Sequence, residues 1–267
     1  MKLELYSILP ELHPYVKAIC SMESDTTTNL IPTVRVLPDA CVELFVNFNS
    51  NHDSLATVTG KKIFNNSQSF LISRMSNFMD VQMKSKTGFI SVCFYPSTAY
   101  LFFQLPMNEV ADNLTALHYL WPTEAKEMEE AIDNTCIRQQ KVTIIQKYLL
   151  KQLNRNRLDK TINYCMQEIN KASNLFSVAE LANKVGLSQR HLSRKFNHCI
   201  GLSTKEFIHI NRFIDSLTYL KKYPELSLTD IAYESGYYDQ AHFIHDYKTF
   251  AGLTPGAVLS AGNLIIC

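Results

Sequence analysis

The sequence predicts an α+β chain in two parts. An antiparallel β-barrel or sandwich with linker helices occupies residues 1–157, and an all-α part with two short helical hairpins joined by a long helix occupies residues 158–267. Three observations carry that prediction. Runs rich in Val, Ile, Phe and Thr, punctuated by Pro, Asn, Asp and Gly, fill the chain to about residue 95. The texture turns helical after Pro96. A ten-residue pattern then recurs in the second part at an offset of 50 residues. A length of 267 residues suits two domains, and 46% hydrophobic against 19% charged residues supplies a packed core without the signature of disorder.

The first residues, MKLELYSILPELHP, hold no apolar segment followed by a small-residue cleavage site, and no apolar run approaches the ~18 residues of a membrane span. A cytoplasmic protein with no membrane partner is expected. The seven cysteines (Cys20, Cys41, Cys93, Cys136, Cys165, Cys199, Cys267) form no C-x-x-C pair and are irregularly spaced, which predicts reduced and mostly buried thiols.

The strand candidates are PTVRV, CVELFVNFN, LATVTG, SFLISRM, FMDVQMKSK and FISVCFY. Alternation in Val42-Glu43-Leu44-Phe45-Val46 predicts apolar residues on one face and an outward, solvated Glu43. Tyr15, Phe45, Phe48, Phe78, Phe89, Phe94 and Tyr95 are expected to fill the core, with a ligand cavity as the alternative, and Arg35 is a second candidate polar group for such a cavity. Pro32 and Pro38 bracket a strand suited to a sheet edge.

Residues 97–156 read as helical: an apolar stretch at 98–104 ended by Pro106, an acidic stretch at 124–134, and a helix at 139–153. Val142, Ile145, Leu149 and Leu153 give the last helix one apolar face, and Lys141, Lys147, Lys151, Arg155 and Arg157 line its polar side. Packing on its own barrel is the expectation, and a dimer seam the alternative.

The repeat compares S-V-A-E-L-A-N-K-V-G (177–186) with S-L-T-D-I-A-Y-E-S-G (227–236). Each copy opens on a capping box, Ser177 with Glu180 and Ser227 with the shorter Asp230. Ala182 and Ala232 permit a close helix crossing, and Gly186 and Gly236 stop the first helix. A second helix follows in each copy, with Leu187, Leu192 and Phe196 or Tyr237, Phe243 and Tyr247 as its apolar set. Helix, glycine turn and helix describe a helix-turn-helix, here twice. Between them, Ser203 and Glu206 cap a long helix whose Phe207, Ile210, Ile214 and Leu217 recur at helical spacing until Pro224.

Charge concentrates in the same region. The net charge of the chain is +1, yet residues 184–222 carry eight basic and two acidic residues, and residues 223–247 carry five acidic residues with no Lys or Arg. If Leu192 and Phe196 face inward, Gln189, Arg190, Ser193, Arg194 and Asn197 face outward, with the amides and guanidinium forks that read major-groove base edges. The second unit presents Gln240, Ala241, Ile244, His245 and Lys248. Lys184, Lys195 and Lys205, with the helix start at Ser203 and Thr204, are the expected phosphate partners.

These residues resemble the AraC/XylS family of transcription regulators. The resemblance covers about residues 158–259 and rests on A-x-x-x-G-L-S-x-x-H-L-S-R-K-F (182–196), G-Y-Y-D-Q-A-H-F (236–243) and F-x-G-L-T-P (250–255). It implies seven helices forming two helix-turn-helix units. DNA contacts would come from Ser188, Gln189, Arg190, Ser193, Arg194, Lys195, Thr204 and Lys205 in and after the first unit, and from Gln240, Ala241, His242 and His245 in the second. The chain departs from the family at His245, where Arg is usual, and at T-P-G-A-V-L (254–259), where T-P-x-x-Y-R is usual. The first unit is therefore expected to carry most of the affinity. L-P-D-A-C-V-E-L (37–44) and F-Y-P-S-T-A-Y-L-F-F-Q-L-P (94–106) resemble the uncharacterised β-rich, cupin-like sensor domain that precedes such DNA-binding domains in bacterial regulators.

The resulting expectation is a bacterial, sequence-specific DNA-binding transcription regulator. It would place two recognition helices in successive major grooves and be modulated through its first domain. Its expected partners are double-stranded promoter or operator DNA, RNA polymerase if it activates, a small-molecule effector and a second copy of itself. No cofactor and no metal site are expected. An enzyme on a cupin-like barrel would need clustered metal ligands, whereas His13, His52 and His118 lie far apart and His13 reads as a surface turn residue. Methyl transfer to a zinc-bound cysteine would need four clustered thiolates. Cys199, at the end of the first recognition helix, is read as a small buried hydrophobe, with redox gating as the alternative.

Overall fold

A computed structural model describes residues 2–23, 33–49, 54–58, 61–65, 67–73, 76–83, 88–154, 157–171, 176–261 and 264–265. Pro32, His52, Arg155 and Cys267 lie outside the described residues. The first part forms two facing sheets. One has the order β1-β2-β9-β4-β7-β10, with β1 (Lys2–Leu5), β2 (Val16–Glu23), β4 (Val42–Asn47), β7 (Ser69–Ile72), β9 (Gly88–Phe94) and β10 (Leu114–Ala116), all antiparallel. The other has the order β11-β3-β8-β5-β6, with β3 (Thr33–Val36), β5 (Ser54–Val58), β6 (Lys61–Asn65), β8 (Met79–Met83) and β11 (Leu264–Ile265). Strand β11 follows the helical domain and pairs parallel to β3, Leu264 opposite Arg35, so the second sheet takes its outer strand from beyond the helical domain.

Alternation along β4 separates two environments. Val42, Leu44 and Val46 join Ile19, Ile90 and Val92 in the main core, together with α1 (Tyr100–Phe103), α2 (Glu124–Asp133) and α3 (Arg138–Gln152). Glu43 lies on the opposite face but is not solvated. It is buried and accepts a hydrogen bond from Ser91 Oγ at 3.1 Å, which corrects the outward placement read from alternation. The rule fails because this face meets a second sheet: Ile72, on that face, packs with Val36 and Val81 against Met79.

Helix α3 packs against α1, α2 and the turn at Pro10–Leu12, as expected of a helix docked on its own barrel. Lys141 does not line its polar side. It is buried, with Nζ donating to the Ile132 carbonyl at the end of α2 at 2.6 Å. Strand β10 and the 3-10 turn Met107–Glu109 interrupt the stretch read as helical, since three residues on a sheet edge leave no periodicity to detect.

The second part holds seven helices among the described residues: α4 (Lys160–Lys171), α5 (Val178–Lys184), α6 (Gln189–Ile200), α7 (Thr204–Lys222), α8 (Leu228–Glu234), α9 (Gln240–Ala251) and α10 (Pro255–Ser260). One hydrophobic cluster runs from the first sheet through α1–α3 into these helices.

Candidate nucleic-acid interface

Hydrogen bonds set both hairpins in the same way. Ser177 accepts from the Glu180 amide at 3.2 Å while Glu180 Oε2 accepts from the Ser177 amide at 2.7 Å, a complete capping box. Ser203 and Glu206 repeat it at the start of α7. Ser227 accepts from the Asp230 amide at 3.1 Å, but the shorter side chain of Asp230 bonds the Ser227 hydroxyl at 2.6 Å rather than completing a box. Past each glycine turn, Leu187 N donates to Ala182 O at 3.0 Å and Tyr237 N to Ala232 O at 2.9 Å. Both alanines are buried.

Helix α6 buries Leu192, Phe196, Cys199 and Ile200 and turns a basic face outward. Ser188, Gln189, Arg190 and Arg194 are exposed and Ser193 half-buried. Ser188, Arg190, His191, Ser193, Arg194 and Asn197 line one shallow polar groove. The Ser188 hydroxyl is engaged as the helix cap, accepting from the His191 amide at 3.2 Å. Arg190 and Arg194 make no ion pair among the described residues, so both guanidinium forks are available to bases or phosphates.

The other basic candidates are less free. Lys195 Nζ lies 2.5 Å from Asp159 Oδ2, and Lys184 Nζ lies 2.7 Å from Glu168 Oε2 and 4.2 Å from the Phe176 ring centroid. Burial works to raise the Asp159 carboxyl, but the Lys195 ammonium and the amides of Ile162 and Thr161 outweigh it and hold its pKa below the usual aspartate range. Lys205 is exposed. Thr204 is fully buried, so its side chain cannot reach a phosphate: at the first position of α7 it points into the core.

Helix α9 buries Phe243, Tyr247 and Phe250 as the periodicity predicts. Gln240, Ala241, His245 and Lys248 are exposed, and Ile244 is half-buried against the core. Gln240 Oε1 accepts from Thr229 Oγ1 of α8 at 3.2 Å. His242 is half-buried, its ring edge-on to Tyr237 at 5.6 Å. His245 Nδ1 lies 3.7 Å from Asp246 Oδ1. Helix α10 buries Pro255 and Val258 and contributes no basic residue.

Sequence reasoning missed how the first domain holds the ends of both outer helices. Gly201, past the end of α6 at φ +81°, lies against the turn at Met107, where an added Cβ would stand 2.7 Å from the Met107 carbonyl oxygen. At the end of α9, Arg35 of β3 donates to the Ala251 carbonyl at 3.0 Å while gripping Asp80 of β8 through Nε and Nη2 at 2.7 and 2.8 Å, with Phe78 4.1 Å beneath its guanidinium. Tyr100 of α1 adds a third tie, donating to Arg157 O and accepting from Asp159 N. Arg35 is thus an interdomain clamp rather than a cavity group. Cys199 is buried, as expected of a small hydrophobe, and burial pushes its thiol up to about 12.

Residues 181–261 match the helix-turn-helix domain family HTH_18, and residues 8–116 match a domain of unknown function, DUF6597. Over 79 residues the chain is 34% identical to uncharacterized HTH-type transcriptional regulators of Staphylococcus aureus strains MSSA476 and N315. That stretch is 30% of this chain and 10% of each relative, so the chain spans about a tenth of the length of the curated relatives it matches. Among solved structures it is similar to ToxT from Vibrio cholerae, at 13% identity over 97% of this chain and 98% of that one, with a TM-score of 0.47. It is also similar to the C-terminal domain of AraT, a response regulator from Geobacillus stearothermophilus, at 24% identity over 39% and 87%, with a TM-score of 0.36. The chain thus sets a helix-turn-helix domain of the AraC type behind a DUF6597 domain.

Proposed function

We propose that the protein binds a specific duplex sequence by placing α6 and α9 in successive major grooves on one face of the DNA. The observation that carries this reading is the pair of similarly built hairpins joined by one uninterrupted helix. Helix α7 has 19 residues, about 28 Å at 1.5 Å per residue, a spacer close to the ~34 Å turn of the duplex. Helix α6 supplies most of the affinity, through Arg190 and Arg194 with Gln189 and Ser193 beside them, and Lys205 adds a phosphate contact. Helix α9 discriminates more than it attracts, because its exposed face is Gln240, Ala241 and His245 in an acidic stretch. The first domain modulates this grip through the two helix ends that it holds at Gly201 and Ala251.

Selection from a random duplex library with the intact chain tests the reading. The expected product is one bipartite motif whose two blocks lie about ten base pairs apart. A single block, or no enrichment by folded protein, refutes it.

A further inference from the structure

The 37–44 segment carries acidic and thiol groups that the DNA-binding reading does not use. Pairing of β4 with β9 sets Glu43 opposite Cys93 and Phe45 opposite Ser91, and pairing of β2 with β9 sets Cys20 opposite Ser91. By strand alternation these residues share the face of the first sheet that turns towards the second. The space between the sheets therefore carries thiols, a carboxylate and a hydroxyl alongside the Phe45–Phe70 stack.

At the entrance to β4, Ala40 adopts φ +60° and folds Asp39 back, so that its Oδ1 accepts from the Cys41 amide at 2.9 Å. A carboxylate oxygen of Asp39, Cys41 Sγ and Cys93 Sγ thereby lie within 4.8 Å of one another. Both thiols are at most 5% exposed.

We propose that Asp39, Cys41 and Cys93 form a binding site for a thiophilic metal ion, Zn²⁺ being the ion that two thiolates and a carboxylate favour. Tetrahedral zinc, with sulfur at about 2.3 Å and oxygen at about 2.1 Å, places its donors about 3.5–3.8 Å apart, so these need close by only about an ångström. A tight turn and a central strand fix where they start. Three protein ligands leave a fourth position for water or an incoming ligand. Each thiol gives its proton to the solvent as its sulfur–metal bond forms. Two thiolates and one carboxylate exceed the charge of a divalent ion by one, and Lys17 Nζ, 3.8 Å from Cys41 Sγ, supplies the balancing cation. A Cys41–Cys93 disulfide fits less well. Both thiols are free, and the register makes the pair a diagonal one rather than directly opposed.

The test is titration of the reduced, metal-free intact chain with Zn²⁺ against a chromophoric chelator, and with Co²⁺ read by its thiolate charge-transfer band. One equivalent of each and a clear thiolate band are expected. Cys41→Ser and Cys93→Ser should each lose the band, Asp39→Asn should weaken Zn²⁺ binding about tenfold or more, and Cys165→Ala, a buried thiol in α4, should change nothing. Absence of a complex, a complex without the band in the unmutated chain, or a band that survives in both serine variants overturns the proposal. The unmutated chain decides the matter even if a variant fails to fold. Metal binding is read without DNA, so its failure and that of the DNA-binding reading are separate results.

Discussion

Replacing Gly201 with alanine separates two costs that usually arrive together. The first is conformational: at φ +81° an alanine pays roughly 1–2 kcal/mol for the left-handed region. The second is steric. The new Cβ would lie 2.7 Å from the Met107 carbonyl oxygen and 2.8 Å from its carbon. These are backbone atoms and cannot rotate aside, so the end of α6 must move off the Met107–Glu109 turn, at the ~1–3 kcal/mol typical of overpacking. Gly186 is the built-in control. It has φ +67° and nothing within 4 Å of the added Cβ, so Gly186→Ala carries the conformational cost alone. Gly201→Ala should therefore be less stable than Gly186→Ala by about 1–3 kcal/mol in urea unfolding, the difference being the interface. Hydrogen exchange should localise it, the amides of Met107–Glu109 opening roughly 5- to 150-fold more often in Gly201→Ala. Equal losses in the two variants, or unchanged exchange at that turn, would refute the reasoning.

Other expectations concern the interface and the clamp. In fluorescence anisotropy with the selected duplex, Arg194→Ala should cost about 1–3 kcal/mol of binding and Gln240→Ala less, since Gln240 is already bonded to Thr229; the reverse order would move the affinity to the second unit. Log affinity should fall linearly with log salt at about 0.9 per phosphate neutralised, and Lys205→Ala should lower that slope by about one; an unchanged slope would remove Lys205 from the phosphate contacts. Asp159 has a depressed pKa, so its tie to Lys195 stabilises the fold above the ordinary aspartate value near 4 and is lost as pH falls through the lower folded value. Asp159→Asn should accordingly lower the urea midpoint at pH near 7 and converge with the unmutated chain as the pH falls below the lowered folded value; a difference that persists once the carboxyl is protonated would mean packing rather than charge. Arg35→Ala should cost roughly 1 kcal/mol and increase cleavage between α3 and α4 by added protease, and an unchanged cleavage rate would show that the clamp holds nothing.

What was legible in the sequence was local. The caps at Ser177, Ser203 and Ser227 and the inward sets of α6 and α9 all follow from residues within a turn or two of one another, whereas the second capping box expected at Asp230 stays incomplete because that side chain stops at the Ser227 hydroxyl. What was not legible depends on partners far away. Glu43 alternates like a surface residue and is buried because a second sheet covers it. Lys141 reads as solvated and is drawn inward to the Ile132 carbonyl at the end of α2. Thr204 reads as a helix-start group near phosphate, yet its rotation about α7 turns it into the core. Asp39 and Cys41 meet Cys93 only through the β4–β9 register, which no spacing along the chain reveals. Arg35 is basic and lies in a strand, and nothing nearby says that it will hold a helix of the other domain.

The parallel pairing of β11 with β3 has a consequence during synthesis. Strand β3 emerges from the ribosome early, while its outer neighbour is made only after the whole helical domain. At roughly 5–20 residues per second, β3 waits on the order of ten to fifty seconds with an unpaired edge, the kind of edge on which chains join in error. Slowing translation ahead of β11 should then raise the aggregated fraction of newly made protein while leaving refolded full-length protein unaffected.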